Sequence, residues 1–92
     1  MDEILNSFTL HQNYPNPFNP TTNISYSIPS NSNVMIKIFD ALGREVATLV
    51  NEEKTAGKYT VEFNGTNLSS GVYFYRLKAE NFVDTKKLML LK

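Results

Sequence analysis

Turn-forming residues recur at short, even intervals along the chain and leave segments of about six to ten residues between them. These segments are rich in Val, Ile, Tyr, Phe and Thr, and none carries the 3.6-residue periodicity of an amphipathic helix. The seven segments are 7–12, 22–28, 34–40, 45–50, 58–64, 72–79 and 82–91. Short strands at this spacing predict an all-β fold, a seven-stranded antiparallel immunoglobulin-like β-sandwich.

Alternation of apolar and polar residues assigns an inward face to most of the predicted strands. The predicted inward residues are Ile24, Tyr26, Ile28, Val34, Ile36, Ile38, Tyr59, Val61, Phe63, Tyr73, Tyr75 and Leu77. In segment 45–50, Val46 and Leu49 are out of phase with each other, which predicts a β-bulge or an early strand end.

Three connections have a predictable conformation. Residues 40–44 fit a type I turn in which Gly43 is left-handed. The Asn-Gly pair at 64–65 is expected to open a longer crossover rather than a two-residue hairpin. Within that crossover, residues 68–73 resemble a tyrosine corner, in which the hydroxyl of Tyr73 bonds to backbone a few residues upstream.

Prolines alternate with asparagines just ahead of the second predicted strand. Proline fixes its own φ and favours an extended conformation in the residue before it, so the cluster is stiff without any partner. We interpret Pro15, Asn16 and Pro17 as a rigid lead-in to the strand, and Phe18 as an anchor that packs it onto the sandwich. Recognition of the cluster by a partner is the alternative interpretation.

The composition excludes several kinds of binding partner, reactive group and metal site. Nine Lys and Arg balance nine Asp and Glu, which argues against a nucleic-acid or anionic-membrane partner. There is no Cys and only one His, His11, so thiolate nucleophiles, disulfides and the common zinc sites are excluded. No apolar run reaches the roughly 20 residues of a membrane helix. We therefore expect a non-catalytic domain with no cofactor and no membrane insertion, although turn oxygens at Asp40, Asn64 and Asn67 leave weak calcium binding open.

The last predicted strand is apolar on both faces, because residues 88–91 do not alternate. Its outward pair is either covered by Phe8, Leu10 or Phe18, or exposed as an apolar strip for a partner. Pairing of a partner strand with an open sheet edge is a third possibility. The candidate contact residues are Lys86, Lys87, Leu88, Met89, Leu90, Leu91 and Lys92.

Several stretches together resemble a known family. They are Tyr14-Pro15-Asn16-Pro17-Phe18-Asn19-Pro20-Thr21-Thr22, Leu42-Gly43-Arg44-Glu45-Val46, the run 68–77 and the ending Thr85-Lys86-Lys87-Leu88-Met89-Leu90-Leu91-Lys92. From about Phe8 to Lys92 the chain resembles the type A C-terminal sorting domain of the type IX secretion system, the Por secretion tail. That family is described as similar to the immunoglobulin-like domain of flagellar hook-capping proteins.

The resemblance implies a sorting signal at the end of a larger precursor, with a passenger domain ahead of it. The implied partners are the outer-membrane translocon, a shuttle protein and a cell-surface sortase that removes the signal. The passenger would pass through the periplasm and be secreted or displayed on the cell surface. Residues 7–92 would form the sorting domain, and residues 1–6 a linker remnant or cloning-derived sequence. The residues given a structural role are Pro15, Asn16, Pro17, Phe18, Gly43, Gly71 and Tyr73.

Two other functions fit a small β-sandwich. One is an accessory carbohydrate-binding module, for which Tyr14, Phe39 and Phe74 are the available aromatic residues since the chain has no Trp. The other is a spacer with no recognition role, which an unrelated sandwich could replace.

Overall fold

All seven predicted strands are present in the computed structural model, which describes residues 7–92. The strands are β1 (Thr9–Leu10), β2 (Thr21–Ile28), β3 (Ser32–Asp40), β4 (Glu45–Lys54), β5 (Gly57–Asn64), β6 (Gly71–Ala79) and β7 (Phe82–Leu90). Residues 1–6, interpreted above as a linker remnant, lie outside the described residues. Residues 7–92 contain no helix that could cross a membrane.

The strands form two sheets, and every strand pairing within them is antiparallel. The three-stranded sheet has the order β1-β2-β5, and the four-stranded sheet has the order β4-β3-β6-β7. The seven-stranded antiparallel sandwich is therefore confirmed. In a constant-type immunoglobulin domain the fourth strand belongs to the other sheet, whereas here β4 pairs with β3.

A single apolar core fills the space between the sheets. Nearly all of the predicted inward residues are buried, including Ile24 and Ile28 on β2 and Ile36 and Ile38 on β3. Tyr59 and Val61 are only partly buried, because β5 is the last strand of its sheet and has a neighbour on one side only. Period-2 patterning thus located the core correctly on the central strands.

The fourth strand contains the predicted irregularity. Val50 lies opposite Ile36 and Thr48 opposite the next β3 residue, so Leu49 between them has no cross-strand partner. A second shift leaves Val46 without a partner in the same way. Two residues opposite one is the definition of a β-bulge. The strand does not end early, and continues to Lys54.

The predicted turns also form. Gly43 has φ of 84°, a left-handed value that costs other residues stability. Oδ1 of Asp40 accepts hydrogen bonds from the backbone N–H groups of Leu42 and Arg44, both at 2.9 Å. The Arg44 backbone bond is the largest of several contacts that lower the pKa of Asp40. In the crossover to β6, the hydroxyl of Tyr73 donates to the carbonyl of Ser69 at 2.6 Å, which completes the tyrosine corner.

Candidate functional site

The carboxyl-terminal strand divides the predicted contact residues into buried and accessible ones. Leu88 and Leu90 are fully buried in the core, where they face Tyr73 and Gly71 of β6. In the folded domain these two side chains are therefore not accessible, so a contact made by the folded strand would use the other predicted residues. The accessible members are Lys87, Leu91 and Lys92, which are exposed, and Lys86 and Met89, which are half-buried.

The open side of β7 is closed by residues 12–20, which we name the proline segment. The N–H of Phe18 donates to the carbonyl of Met89 at 2.9 Å, and the N–H of Leu91 donates to the carbonyl of Phe18 at 3.0 Å. These two bonds make a parallel bridge between Phe18 and Leu90. A partner strand therefore cannot pair with this end of β7, and the β-augmentation alternative fails there.

Side chains of the proline segment satisfy the neighbouring backbone groups of β7. Oδ1 of Asn16 accepts from the N–H of Met89 at 2.9 Å. Nε2 of Gln12 donates to the carbonyl of Lys87 at 2.8 Å. With the Phe18 bridge, the proline segment thus bonds this side of β7 from the Lys87 carbonyl to the Leu91 amide.

Phe18 is the anchor of the proline segment. Its side chain is 2% exposed and packs on Phe63, with the ring centroids 5.9 Å apart. Gly65 allows this close packing, because a Cβ there would lie 3.1 Å from Cδ2 of Leu90 and 3.3 Å from Cε2 of Phe18. Phe8 and Leu10 are the other residues predicted to cover the outward pair of the last strand. Phe8 instead stacks on Phe82, and Leu10 lies in the core.

The prolines mark the place where the chain changes sheets. Before them, Leu10 pairs with Tyr26 of β2 and Tyr14 still forms a bridge with Asn23. After Pro15 and Pro17 the chain lies against β7 of the other sheet. The peptide bonds preceding Pro15, Pro17 and Pro20 are all cis. Since proline has no N–H, these positions add no backbone donors that need partners during the change.

A buried polar cluster fixes the segment to both sheets. The hydroxyl of Tyr75 donates to the carbonyl of His11 at 2.6 Å and accepts from the N–H of Asn13 at 2.8 Å. Nδ2 of Asn13 donates to Oγ1 of Thr22 at 3.0 Å, and that hydroxyl donates to the carbonyl of Pro15 at 2.8 Å. No buried side-chain polar atom in residues 7–92 lacks a partner. Burial raises the pKa of Tyr75 to about 12, so the phenol stays protonated at neutral pH.

Sequence reasoning missed this cluster. Asn13 and Thr22 are small polar residues beside turn-forming prolines, and such residues are ordinarily exposed. The alternation predicts that Tyr75 faces the core, but it does not indicate the partners of its hydroxyl. The available signal was the inward parity of Thr22, which shares a β2 face with Ile24 and Tyr26.

The lysines at this end of the molecule remain available for contacts. Among residues 7–92, Lys86, Lys87 and Lys92 form no ion pair. Nζ of Lys92 donates to the carbonyl of Thr66, and its backbone N–H donates to Oγ of Ser70 at 2.9 Å. These bonds hold the last residue against the crossover while leaving it exposed.

The residues considered above for sugar or calcium binding are not brought together into one site. Tyr14 is 80% exposed but lies on the proline segment, whereas Phe39 and Phe74 face each other on the four-stranded sheet. The three rings therefore form no common platform for a sugar. In residues 7–92 no group of three His, Asp or Glu side chains is placed to hold a metal ion. The Asp40 and Asn64 oxygens bond to their own turns.

Comparison with known proteins adds one finding to this geometry. The family model of the secretion system C-terminal sorting domain matches residues 12–91. The chain belongs to that family. The matched region includes the proline segment and all of β7, so both sides of the Phe18–Leu90 bridge belong to the family domain. No curated protein and no solved structure matches the chain.

Membership of the family gives the domain its general role. It is a C-terminal sorting signal of type IX secretion, part of a larger precursor that interacts with the secretion machinery. Proteins that carry this sorting tail are exported across the outer membrane to the cell surface or secreted.

Proposed function

We propose that the outer-membrane translocon and a shuttle protein recognise this domain as a folded sandwich rather than as an extended tail. The observation that carries the proposal is the closure of β7 by the proline segment. Releasing the last strand would remove Leu88 and Leu90 from the core and break the Phe18 bridge. Exposing buried side chains of this size costs about 1.5–3 kcal/mol each. A partner therefore contacts the surface of the folded domain at lower cost than it contacts a released strand.

The recognised surface then consists of what the folded strand exposes. Leu91 is 53% exposed, and the side chains of Lys87, Met89 and Lys92 accompany it at the same end of β7, with Lys86 at its margin. A partly exposed apolar residue among unpaired lysines suits a contact that forms and dissociates during transfer between machines. A contact limited to these few side chains is typical of transient complexes.

The two ends of the domain support separate roles for recognition and removal. Phe8 stacks on Phe82 at the start of β7, with ring centroids 5.3 Å apart. Lys92 is held near Ser70 and Thr66 at the other end of that strand. Nine strand residues span roughly 30 Å. Phe8 therefore lies far from the recognised end, and we propose that the passenger precedes it and that a cell-surface sortase cuts upstream of Phe8 while that end is bound.

A sorting assay tests the recognition step. A signal peptide and a fluorescent reporter are fused ahead of residues 1–92 and expressed in a host with a type IX secretion system. The double variant Leu91→Asp/Lys92→Glu changes the recognised end without entering the core. Thr60→Asp, on the exposed face of β5, is the control. We expect surface fluorescence for the wild type and the control, and periplasmic retention of the double variant.

Two outcomes would contradict the proposal. Display of Leu91→Asp/Lys92→Glu at the wild-type level would show that this end is not the contact. Display of the core variant Leu90→Asp, after circular dichroism has shown it to be unfolded, would show that a folded signal is not required. Sortase removal has its own readout: the mass of the surface reporter should end upstream of Phe8, and a host without the sortase should keep the fusion intact.

A further inference from the structure

The two sheets present different chemistry to solvent. Side chains alternate along a strand, so residues between the buried positions of β6 and β7 point away from the core. Together these residues make the β6–β7 outer face: Val72, Phe74, Arg76, Lys78, Val83, Thr85, Lys87 and Met89. The strand register pairs them directly, for example Phe74 with Lys87 and Lys78 with Val83. The eight residues therefore form one continuous surface.

This face carries three cations and no carboxylate. Among residues 7–92, neither Arg76, Lys78 nor Lys87 forms an ion pair. Two carboxylates on adjoining elements border the face. Glu45 of β4 pairs with Lys37 at 2.9 Å and also lies within electrostatic reach of Arg76. Glu80 in the β6–β7 turn accepts from the N–H of Asn33 at 3.4 Å and shares a surface depression with Lys78. Asp84 has the inward parity of β7 and lies opposite the buried Leu77.

The cations are interleaved with apolar side chains. Val83 is 54% exposed, and Val72, Phe74 and Met89 are half-buried. The guanidinium carbon of Arg76 lies 4.7 Å from the centroid of the Phe39 ring, a contact that orients its N–H groups before any partner arrives. Exposed apolar area bordered by polar and charged groups is typical of protein-interaction surfaces.

The outer face of the three-stranded sheet lacks these properties. The side chains there are Thr21, Asn23, Ser25, Lys58, Thr60, Glu62 and Asn64. Ser25 and Thr60 bond to each other at 3.0 Å. Among residues 7–92, the β2 and β5 side chains on this face include no exposed apolar residue, and the acid and the base among them balance each other. It is therefore suited to serve as the internal reference for the β6–β7 outer face.

We propose that the β6–β7 outer face docks onto a folded protein partner that presents carboxylates around an apolar patch. The inference rests on the proposed function and extends its contact from the end of β7 onto both strands. Charge complementarity selects this partner. Residues 76–92 carry five cations and two carboxylates, whereas residues 1–75 carry four and seven. A nucleic acid or an anionic bilayer would meet that acidic remainder, while a compact acidic patch contacts the face alone.

The experiment uses two charge-matched double variants in the reporter fusion to residues 1–92. Lys78→Glu/Val83→Asp alters a cross-strand pair of the face. Lys58→Glu/Thr60→Asp makes the same charge change on the three-stranded sheet. We expect surface fluorescence to fall at least about ten-fold for the first, because like charges across an interface are strongly unfavourable. The second should stay within about two-fold of the wild type.

Three further measurements keep the result interpretable. The milder variant Lys78→Gln/Val83→Thr should also reduce display, and thermal melting followed by circular dichroism should show that every variant compared remains folded. Purified wild type is also mixed with phosphatidylglycerol vesicles and sedimented. Vesicle binding that the Lys78→Glu/Val83→Asp change abolishes would assign the face to an anionic bilayer and overturn a protein partner.

The outcomes distinguish failure of the docking face from failure of the sorting function. Equal display of the folded Lys78→Glu/Val83→Asp variant and the wild type would overturn the docking face and leave the sorting function intact. Retention of the wild-type fusion in the periplasm would overturn the proposed function and the docking face with it. Loss of display in both matched variants would show that charge alone, rather than this face, is responsible.

Discussion

The two halves of β7 differ in how their free edge is protected from pairing with another strand. In residues 82–86 the inward side is interrupted by Asp84 and Lys86, and the amide of Thr85 bonds only to the side chain of Asp84, at 2.9 Å. In residues 87–90 the inward side is the fully buried pair Leu88 and Leu90, and the free side is bonded to the proline segment. Charge protects the first half from unwanted strand pairing, whereas a covering segment protects the second.

The difference shows where the stability of the domain is concentrated. The second half of β7 depends on residues near the opposite end of the chain, through Phe18 and the Tyr75 cluster. The first half depends on pairing with β6 and has a single described contact with the opposite end of the chain, the Phe8–Phe82 stack. Changes at the second half should therefore destabilise the whole sandwich, while equivalent changes at the first half should have small effects.

The largest difference is expected between two adjacent leucines. Leu90→Asp places a carboxylate in the core, and burial of an unpaired charge is among the most destabilising single changes. We expect a loss of about 4 kcal/mol or more in the free energy of unfolding. The same substitution at Leu91, which is 53% exposed, should change it by less than about 0.5 kcal/mol. Urea denaturation followed by circular dichroism measures both, and similar losses would contradict the burial of Leu90 and the exposure of Leu91.

Removal of the anchor should have the next largest effect. Phe18→Ala is expected to cost about 3–5 kcal/mol, the range for truncating a buried Phe. Tyr14→Ala is the matched control, since Tyr14 is an exposed aromatic residue of the same segment. The melting temperature should fall for the first variant and stay close to that of the wild type for the second. A stable Phe18→Ala protein would mean that the backbone bridge alone holds the segment.

A smaller loss is expected when a single hydroxyl is removed. Tyr75→Phe leaves the ring in the core but deprives the His11 carbonyl and the Asn13 amide of their partner. One unsatisfied buried group costs about 1–3 kcal/mol, and denaturation at pH 7 measures the loss. The control is Tyr59→Phe, which removes a hydroxyl bonded to the exposed residue Thr55; an equal cost there would mean that burial of the cluster is unimportant.

The difference in unfolding free energy between the wild type and Tyr75→Phe should depend on pH with a definite sign. The folded pKa of Tyr75 is about 12, against an ordinary value of 10.0, so the protonated phenol is favoured by folding. That contribution is fully present below pH 10 and is lost as the pH rises towards 12. The wild type should therefore lose its advantage over Tyr75→Phe between pH 10 and 12. A constant difference in unfolding free energy across this range would contradict the raised pKa.

The predictable part of the fold is the part that local pattern determines. Alternation predicts Ile24, Ile36 and Leu77 inside, as observed. The phase break between Val46 and Leu49 predicts a β-bulge or an early strand end, and the strand contains two register shifts there. Each of these features depends on residues within one strand and its period of two. The turn at Gly43 was predictable for the same reason, because its conformation depends on backbone freedom within a few residues.

The site was less predictable because it depends on pairing between distant segments. Residues 88–91 are apolar on both faces, so alternation could not decide which leucines face inward, and pairing with β6 decides it. Nothing local to Phe18 indicates that its backbone bonds to Met89. The resemblance to the sorting family supplied the function, but it did not say which side chains of the final strand are accessible.

The smallest expected effect isolates one hydrogen bond at the boundary between the halves. Asn16→Ala removes the acceptor for the Met89 amide but leaves the Phe18 bridge, so the free energy of unfolding should fall by only about 0.5–1.5 kcal/mol.

The effect of Asn16→Ala on local hydrogen exchange should be larger than its effect on global stability. In the wild type, amide hydrogen exchange should be slow at Met89 and Leu91 and fast at Val83, whose amide lies on the unclosed part of the same side. Asn16→Ala should accelerate exchange at Met89, leave Leu91 protected by its bond to Phe18, and leave Val83 unchanged. Equal acceleration at Met89 and Leu91 would instead mean that the proline segment detaches as one unit, and the closure of β7 would then be a single cooperative contact.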